Sequence, residues 1–285
     1  MILDRRLNAF RSDLADATLA DRVEAARFVT GMPARIGVPV VSLRPRPDAA
    51  AGIDTELLLG ETVSVFDRAD GWAWVKAGSD GYVGYLPEAA LAPAHDPDPT
   101  HHVIVPRTFV YPGPDLRFPL SATLSMGSRV LVTGEAETRG TRYHVLADGR
   151  AVVAAHCLPL GSYATDDYVA IATRFIETPY LWGGRSGFGI DCSGLVQLAL
   201  LMTGRAAPRD SDMQAAGLGE VIERGDLRRG DLVFWKGHAG IMEDETTLLH
   251  ANGHTMTVAR ENFEAAVERI GWLYERPTGY RRPVV

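Results

Sequence analysis

Cys192 has the clearest capacity for nucleophilic chemistry in this sequence. It lies in the segment Asp191-Cys192-Ser193-Gly194, directly after a glycine-rich loop and at the start of an apolar run. A cysteine in the first turn of a helix lies beside unsatisfied N–H groups and the positive end of the helix dipole, and both favour the thiolate. The sequence therefore predicts a thiol nucleophile on a rigid helix; the alternative interpretation is a buried structural cysteine.

Two histidines can supply the base that a thiol nucleophile needs. His238 begins one apolar, strand-like run, and His250 ends the next one, twelve positions later, beyond the turn Glu243-Asp244-Glu245-Thr246. Two strands joined by such a hairpin can carry both rings side by side on one face. The predicted chemistry is acyl transfer, in which a histidine activates the thiol of Cys192.

A zinc site is the competing use of the same kinds of residue, with Cys192, His238, His250 and His254 as ligands. No pair of these residues has the close spacing on one element that zinc sites show, so we expect no metal and no cofactor. The second cysteine, Cys157, lies 35 positions before Cys192, and the two form neither a CxxC pair nor a disulfide framework.

Two helices and then three strands are expected to position these residues. Periodicity predicts a helix over residues 163–176 and a strongly apolar helix over residues 192–202, ended by Thr203-Gly204. Strand-like runs follow at residues 231–235, 238–242 and 247–251. Helices followed by strands are typical of a compact α+β domain.

The first half of the chain has a different pattern. From Ile36 onward, short β-like runs are separated by Gly, Asp and Pro at roughly 8- to 12-residue intervals, which is typical of a small all-β barrel. The pattern recurs 67 positions later, where Gly127-Ser128-Arg129-Val130 aligns with Gly60-Glu61-Thr62-Val63. We predict a helical lead-in over residues 1–33, barrels over 34–94 and 100–161 joined by the polar connector 94–99, and a catalytic domain over 162–285.

Composition narrows the class of protein. The hydrophobic fraction of 46% and the charged fraction of 23% are those of a globular chain, and no apolar stretch is long enough to span a membrane. A net charge of −7 argues against nucleic acid or an anionic membrane as partner. The first residues lack the apolar core of a signal peptide, so the expected location is the cytoplasm. The sequence does not indicate an oligomeric state.

The motifs resemble those of the NlpC family of bacterial cell-wall cysteine peptidases, which has a papain-like α+β fold. The resemblance covers about 100 residues, with the order and spacing of the motifs intact. The matching segments are Tyr180-Leu181-Trp182-Gly183-Gly184, residues 191–196, residues 230–234, His238-Ala239-Gly240-Ile241 and Leu249-His250-Ala251. The resemblance implies that Cys192 is the nucleophile, His238 the general base and His250 the residue that orients His238.

The resemblance extends to family members that carry one or two bacterial SH3-like barrels ahead of the catalytic domain. It implies two small all-β SH3-like barrels followed by an α+β papain-like catalytic domain. The implied activity is hydrolysis of the bond between γ-D-glutamate and diaminopimelate or lysine in short peptidoglycan-derived peptides with a free N-terminal L-Ala, as in muropeptide recycling. The implied partners are therefore short peptides.

The same resemblance implies a set of substrate-binding residues. Asp191 and Ser193 hold the L-Ala–γ-D-Glu portion, and Trp182 forms a wall. The hydroxyl of Tyr180 can stabilise the oxyanion. Ser211, in Pro208-Arg209-Asp210-Ser211, binds the D-Glu carboxylate.

The resemblance also implies that the first barrel contributes Tyr82, in Gly81-Tyr82-Val83-Gly84-Tyr85, and Asp54 as an acid suited to the substrate ammonium.

Three alternatives stay open. One is an amidase or acyltransferase on the same scaffold, since the catalytic residues fix acyl transfer but not the acceptor. The second is a wall-binding hydrolase that acts on intact peptidoglycan, and the third is an inactive binding module. The presence of Cys192 and both histidines counts against the third.

Overall fold

The structure is a computed structural model that describes residues 3–92 and 97–284. The chain divides into two compact units, Met1–Leu160 and Gly161–Val285. Residues 94–96 of the predicted connector 94–99 lie outside the described residues. None of the described helices is long and apolar enough to cross a membrane.

The predicted helical lead-in is wrong. In residues 3–33, β1 (Ala15–Asp16) pairs in parallel with β2 (Phe28–Val29), and only a single 3-10 turn over Ala17–Leu19 lies between them. Leu14 in this segment is fully buried in a cluster with Trp74 of the following barrel. Tertiary burial of these apolar side chains outweighs the weak local preference for a helix.

The first barrel consists of two antiparallel sheets. Four strands lie in the order β3-β6-β7-β8, and β4 pairs with β5 in the second sheet. β3 begins before residue 34, where the barrel was predicted to start. The strands are β3 (Met32–Arg35), β4 (Val40–Leu43), β5 (Thr55–Leu58), β6 (Thr62–Ala69), β7 (Trp72–Ala77) and β8 (Val83–Pro87).

The second predicted barrel also consists of two antiparallel sheets, ordered β11-β10-β15-β14-β13 and β12-β9-β16. Gly60 and Gly127, which align in the predicted repeat, both have left-handed backbone with φ of +77° and +89°, a conformation that favours glycine. The strands are β9 (His101–Val103), β10 (Arg107–Tyr111), β11 (Ala122–Ser125), β12 (Arg129–Val130), β13 (Val132–Thr138), β14 (Thr141–Leu146), β15 (Ala151–Val153) and β16 (Cys157–Pro159).

The C-terminal unit is an α+β domain built on a six-stranded sheet. The strands lie in the order β19-β24-β20-β21-β22-β23, and the antiparallel hairpins β20-β21 and β21-β22 form its centre. The six strands of this sheet are β19 (Glu220–Val221), β20 (Leu232–Trp235), β21 (His238–Met242), β22 (Thr247–Asn252), β23 (Thr257–Asn262) and β24 (Gly279–Arg282). Two short strands, β17 (Arg185–Ser186) and β18 (Gly189–Ile190), pair with each other in a separate antiparallel sheet.

Four α-helices accompany this sheet: α1 (Tyr168–Thr173), α2 (Cys192–Leu201), α3 (Ser211–Gly217) and α4 (Phe263–Leu273). The predicted apolar helix is confirmed as α2, which packs on β21 and β22. The predicted helix 163–176 is shorter than expected because Asp167 caps it. The carboxylate of Asp167 accepts the N–H groups of Val169 and Ala170, so α1 begins only at Tyr168.

Candidate active site

Cys192 is the first residue of α2, and the local sequence places it there. Asp191 is the N-cap, and its Oδ1 accepts the N–H of Gly194 at 2.7 Å. A side chain at position 194 would place its Cβ 2.5 Å from the carbonyl oxygen of Gly184, so glycine allows the loop to lie against the helix. The thiol is thereby fixed at the N-terminus of a buried helix.

A buried arginine that sequence reasoning missed lies against the N-terminus of α2. Arg209 is 1% exposed, and its guanidinium contacts the two carboxylate oxygens of Asp191 at 2.7 and 3.0 Å. It also donates to Oγ of Ser193 at 3.0 Å, and the N–H of Gly183 donates to Asp191 at 2.9 Å. The protein itself therefore holds Asp191 and Ser193, and their contact with substrate stays a prediction.

The electrostatic environment of the thiol differs from the sequence expectation. Burial raises the pKa of Cys192 to about 12, and the neighbouring carboxylate of Asp191 acts in the same direction. The backbone N–H groups of Ala239 and Ser193, together with the charge of Arg209, act to lower that pKa but do not outweigh burial. The thiol is therefore neutral at pH 7 and requires a base that takes its proton.

The two candidate histidines lie side by side, and this prediction is confirmed. His238 is the first residue of β21, and its Nε2 lies 2.9 Å from Nδ1 of His250 in β22. Ala239, whose N–H donates to the sulfur of Cys192, directly follows His238 in the chain. Because Nε2 of His238 is engaged by His250, Nδ1 is the remaining ring nitrogen of His238.

The ring of His238 is uncharged at neutral pH. Burial, with the nearby His250 and Arg269 acting in the same direction and Glu261 in the opposite one, lowers its pKa to about 3. The indole of Trp235 lies 5.5 Å from the imidazole, measured between ring centroids. A neutral imidazole can accept the thiol proton, which a charged one cannot.

A carboxylate that sequence reasoning missed lies behind the histidine pair. Oε2 of Glu261 is 3.2 Å from Nε2 of His250, and Arg269 donates to both carboxylate oxygens at 2.8 and 2.6 Å. The hydrogen bonds from Arg269, together with the contact with His250, lower the pKa of Glu261 to about 2. The signal that points to Glu261 is strand register: Ala259 pairs with His250, and Glu261 lies two residues further along β23 on the same face.

The other predicted residues of the C-terminal unit have different environments. Burial raises the pKa of the Tyr180 hydroxyl, and Cys192 and Asp191 act in the same direction. Ser211 is buried as the first residue of α3. Trp182 is 70% exposed, so it offers an aromatic surface to a ligand.

Tyr82 and Asp54 belong to the N-terminal unit. Tyr82 is buried just before β8, and the N–H of Asp54 donates to the carbonyl of Leu43 before β5 begins. Their predicted roles toward the substrate amine stay predictions.

The zinc interpretation finds no site in the described part of the chain. There, no three His, Cys, Asp or Glu side chains are grouped so that they could hold a metal ion. His254 lies in the turn after β22, where its N–H donates to Oδ1 of Asn252.

A buried thiol at a helix N-terminus beside a hydrogen-bonded histidine pair is the arrangement typical of thiol-dependent acyl transfer. Residues 177–270 match the NlpC/P60 family, and residues 43–91 match the bacterial dipeptidyl-peptidase Sh3 domain. The chain therefore contains an NlpC/P60 domain preceded by a bacterial SH3 domain. The SH3 match covers the first predicted barrel, and the assignment of residues 100–161 to a second SH3-like barrel stays a prediction.

The chain is also similar in sequence to curated proteins. The chain is 28% identical over 216 residues to a γ-D-glutamyl-L-lysine dipeptidyl-peptidase of Bacillus cereus, which covers 66% of this chain and 61% of the relative. It is 28% identical over 220 residues to the Bacillus subtilis protein of the same name, covering 70% and 72%. Dipeptidyl-peptidase 6 of Lysinibacillus sphaericus is 37% identical over 87 residues, 30% of this chain and 32% of that one. The aligned region thus spans less than two thirds of two of these relatives.

Solved structures agree with the fold. An NlpC/P60 family protein from Bacillus cereus superimposes with a TM-score of 0.74 at 22% identity, covering 89% of this chain and all of that one. An NlpC/P60 endopeptidase from Photobacterium damselae subsp. piscicida gives a TM-score of 0.58 at 15% identity, covering 88% and 71%.

Proposed function

We propose that this protein is a cysteine peptidase that hydrolyses the bond between γ-D-glutamate and a diamino acid in short cell-wall peptides with a free N-terminal L-Ala. The observation that carries the proposal is the contact between His238 and His250, next in the chain to Ala239, whose N–H faces the buried thiol of Cys192 within an NlpC/P60 domain. The names of the Bacillus relatives, γ-D-glutamyl-L-lysine dipeptidyl-peptidases, support the substrate class.

Acylation starts from a neutral thiol and a neutral imidazole. Nδ1 of His238 takes the proton of Cys192 as the sulfur attacks the γ-carbonyl carbon of D-Glu. The backbone N–H of Cys192 and the hydroxyl of Tyr180 are the proposed donors to the tetrahedral oxyanion. The raised pKa of Tyr180 keeps that hydroxyl protonated at pH 7, so it can donate. When the C–N bond breaks, His238 returns its proton to the departing amine, and a thioester remains.

Deacylation uses the same histidine in the opposite direction. Water attacks the thioester carbon while His238 accepts a proton from that water. The C–S bond then breaks, and the proton passes from His238 to the sulfur of Cys192. One water is consumed, and the products are L-Ala–D-Glu and the free diamino acid.

The direct test of the substrate is incubation with L-Ala–γ-D-Glu–diaminopimelate and with the corresponding lysine peptide, with the products identified by mass. Release of L-Ala–D-Glu and the free diamino acid from either peptide is expected. In ¹⁸O water, one labelled oxygen should enter the new D-Glu carboxylate. A product in which another amine replaces the diamino acid would instead support the acyltransferase alternative.

N-acetylation of the substrate is expected to lower kcat/KM by at least about 100-fold. The free amine is recognised, in this proposal, by Tyr82 and Asp54, and acetylation removes its charge, adds bulk and leaves polar groups unpaired at a cost of about 1–3 kcal/mol. Rates on the free and N-acetylated tripeptides measure the ratio. Similar rates on both peptides, or comparable cleavage of intact peptidoglycan sacculi, would contradict the proposal and favour the wall-binding hydrolase.

Tyr82→Phe probes the barrel's share in this selectivity. The substitution removes only a hydroxyl, and we expect it to reduce the ratio of kcat/KM on the free-amine substrate to kcat/KM on the N-acetylated one. Tyr143→Phe is the matched control, because Tyr143 in β14 is a 1% exposed tyrosine of the second predicted barrel. If Tyr82→Phe and Tyr143→Phe gave the same ratio of kcat/KM on the two substrates, Tyr82 would not belong to the proposed site.

A further inference from the structure

We infer that Glu261 is a positioning residue that fixes the tautomer of His250 and, through it, the ring nitrogen that His238 presents to the thiol. The inference deepens the proposed function and rests on it. Glu261 becomes the fourth member of a series that runs from Cys192 through His238 and His250.

Both ring nitrogens of His250 have a neighbour, although the ring is only 1% exposed. Nδ1 lies 2.9 Å from Nε2 of His238, and Nε2 lies 3.2 Å from Oε2 of Glu261. The carboxylate is at ion-pair distance from Nε2 and off the ideal axis of a ring N–H. A negative charge at this distance still favours a proton on the facing nitrogen, because the site is shielded from water. His250 therefore carries its proton on Nε2, and its Nδ1 is an acceptor.

The tautomer of His250 determines that of His238. An acceptor at Nδ1 of His250 needs a donor opposite it, so His238 carries its proton on Nε2. Nδ1 of His238 is then unprotonated and able to take the proton of Cys192. With the other tautomer of His250, Nδ1–H would donate to His238, whose own proton would move to Nδ1, and the base would be lost.

Glu261 is well held for this role. Arg269 of α4 contacts both carboxylate oxygens, and the low pKa of Glu261 keeps it charged at neutral pH. The side chains of Glu261 and Arg269 are each 23% exposed, so the carboxylate is only partly screened by solvent. The carboxylate also faces the histidine pair when that pair becomes cationic during acylation, and it stabilises that charge.

The chain offers a matched control. The carboxylate of Glu243 also pairs with an arginine, Arg260 of β23, at 2.7 Å. Arg260 and Glu261 are neighbours on the same strand. Glu243 variants thus break an arginine–carboxylate pair of the same sheet outside the histidine series.

Kinetics of Glu261→Ala, Glu261→Gln and the two equivalent Glu243 variants test the inference. We expect Glu261→Ala to lower kcat about 10- to 100-fold, with KM changed by no more than about 2-fold, since the loss acts through another residue. Glu261→Gln keeps an acceptor oxygen and should recover part of the loss, and the Glu243 variants should stay within about 2-fold of wild type. Glu261 variants as active as the Glu243 variants would overturn the inference.

A second measurement does not need turnover. Nitrogen-15 chemical shifts of labelled histidines report which ring nitrogen carries the proton, and spectra of His238→Ala and His250→Gln assign the signals. Wild type should show both rings protonated on Nε2, and Glu261→Ala should show His250 as a mixture of tautomers. A Nδ1–H ring at His250 in wild type, or no change in Glu261→Ala, would overturn the inference. If this tautomer pattern holds but wild type cleaves no tested peptide, the positioning stands and the proposed substrate fails.

Discussion

Cys192→Ala is expected to lower turnover of L-Ala–γ-D-Glu–diaminopimelate by at least about 10,000-fold, because no other group in the site can form the thioester. The change removes one sulfur atom from the start of α2 and leaves the cap at Asp191 in place, so the fold should survive. Release of the diamino acid, measured against time for wild type and variant, gives the ratio.

Cys157→Ala is the control for this experiment. Burial raises the pKa of both thiols, Cys157 and Cys192. They differ in surroundings, because Cys157 lies in an apolar cluster with Val103 and Leu124. We expect turnover of Cys157→Ala to stay within about 2-fold of wild type, since the site is untouched. Equal losses in the two variants would contradict the assignment of the nucleophile.

His238→Ala should lower kcat by at least about 1,000-fold, since a thiol whose pKa is about 12 is not ionised without a base. His250→Gln keeps a hydrogen-bonding side chain beside His238 and should retain partial activity. The reason is that the contact between Nε2 of His238 and Nδ1 of His250 orients the ring of His238, whereas His250 itself transfers no proton.

Steady-state kinetics of the two variants on the same tripeptide measure this difference, with thermal unfolding of each variant as a check on the fold. If His250→Gln were as inactive as His238→Ala, the division of roles between the two rings would be wrong. Activity of His238→Ala close to that of wild type would remove His238 as the base.

Local sequence signals explain why the helix that carries Cys192 could be predicted from sequence. Asp191 caps the N-terminus of α2, and Gly204, with a left-handed φ of +81°, lies just beyond its C-terminus. Short sequence signals therefore indicate both ends of the helix. The histidine pair was predictable because a β-hairpin of known length fixes which residues face each other.

What the sequence could not supply depends on contacts between distant segments. Glu261 and Arg209 approach the site only through the pairing of β23 with β22 and through the fold of the loop before α3. The pKa of the Cys192 thiol could not be predicted from the local sequence either. The helix N-terminus favours the thiolate, but burial, which depends on the whole domain, outweighs that effect. The prediction of a helical lead-in was wrong for the same reason, because Leu14 is buried against the first barrel and does not lie in a helix.

The most direct test of the account is to trap the acyl-enzyme. Wild-type protein mixed with L-Ala–γ-D-Glu–diaminopimelate is quenched in acid within the first turnover, digested and mapped by mass. The account predicts an L-Ala–D-Glu thioester on the peptide that contains Cys192, and neither adduct nor product with Cys192→Ala. An adduct on the peptide that contains Cys157, or wild-type rates of cleavage by Cys192→Ala, would contradict it.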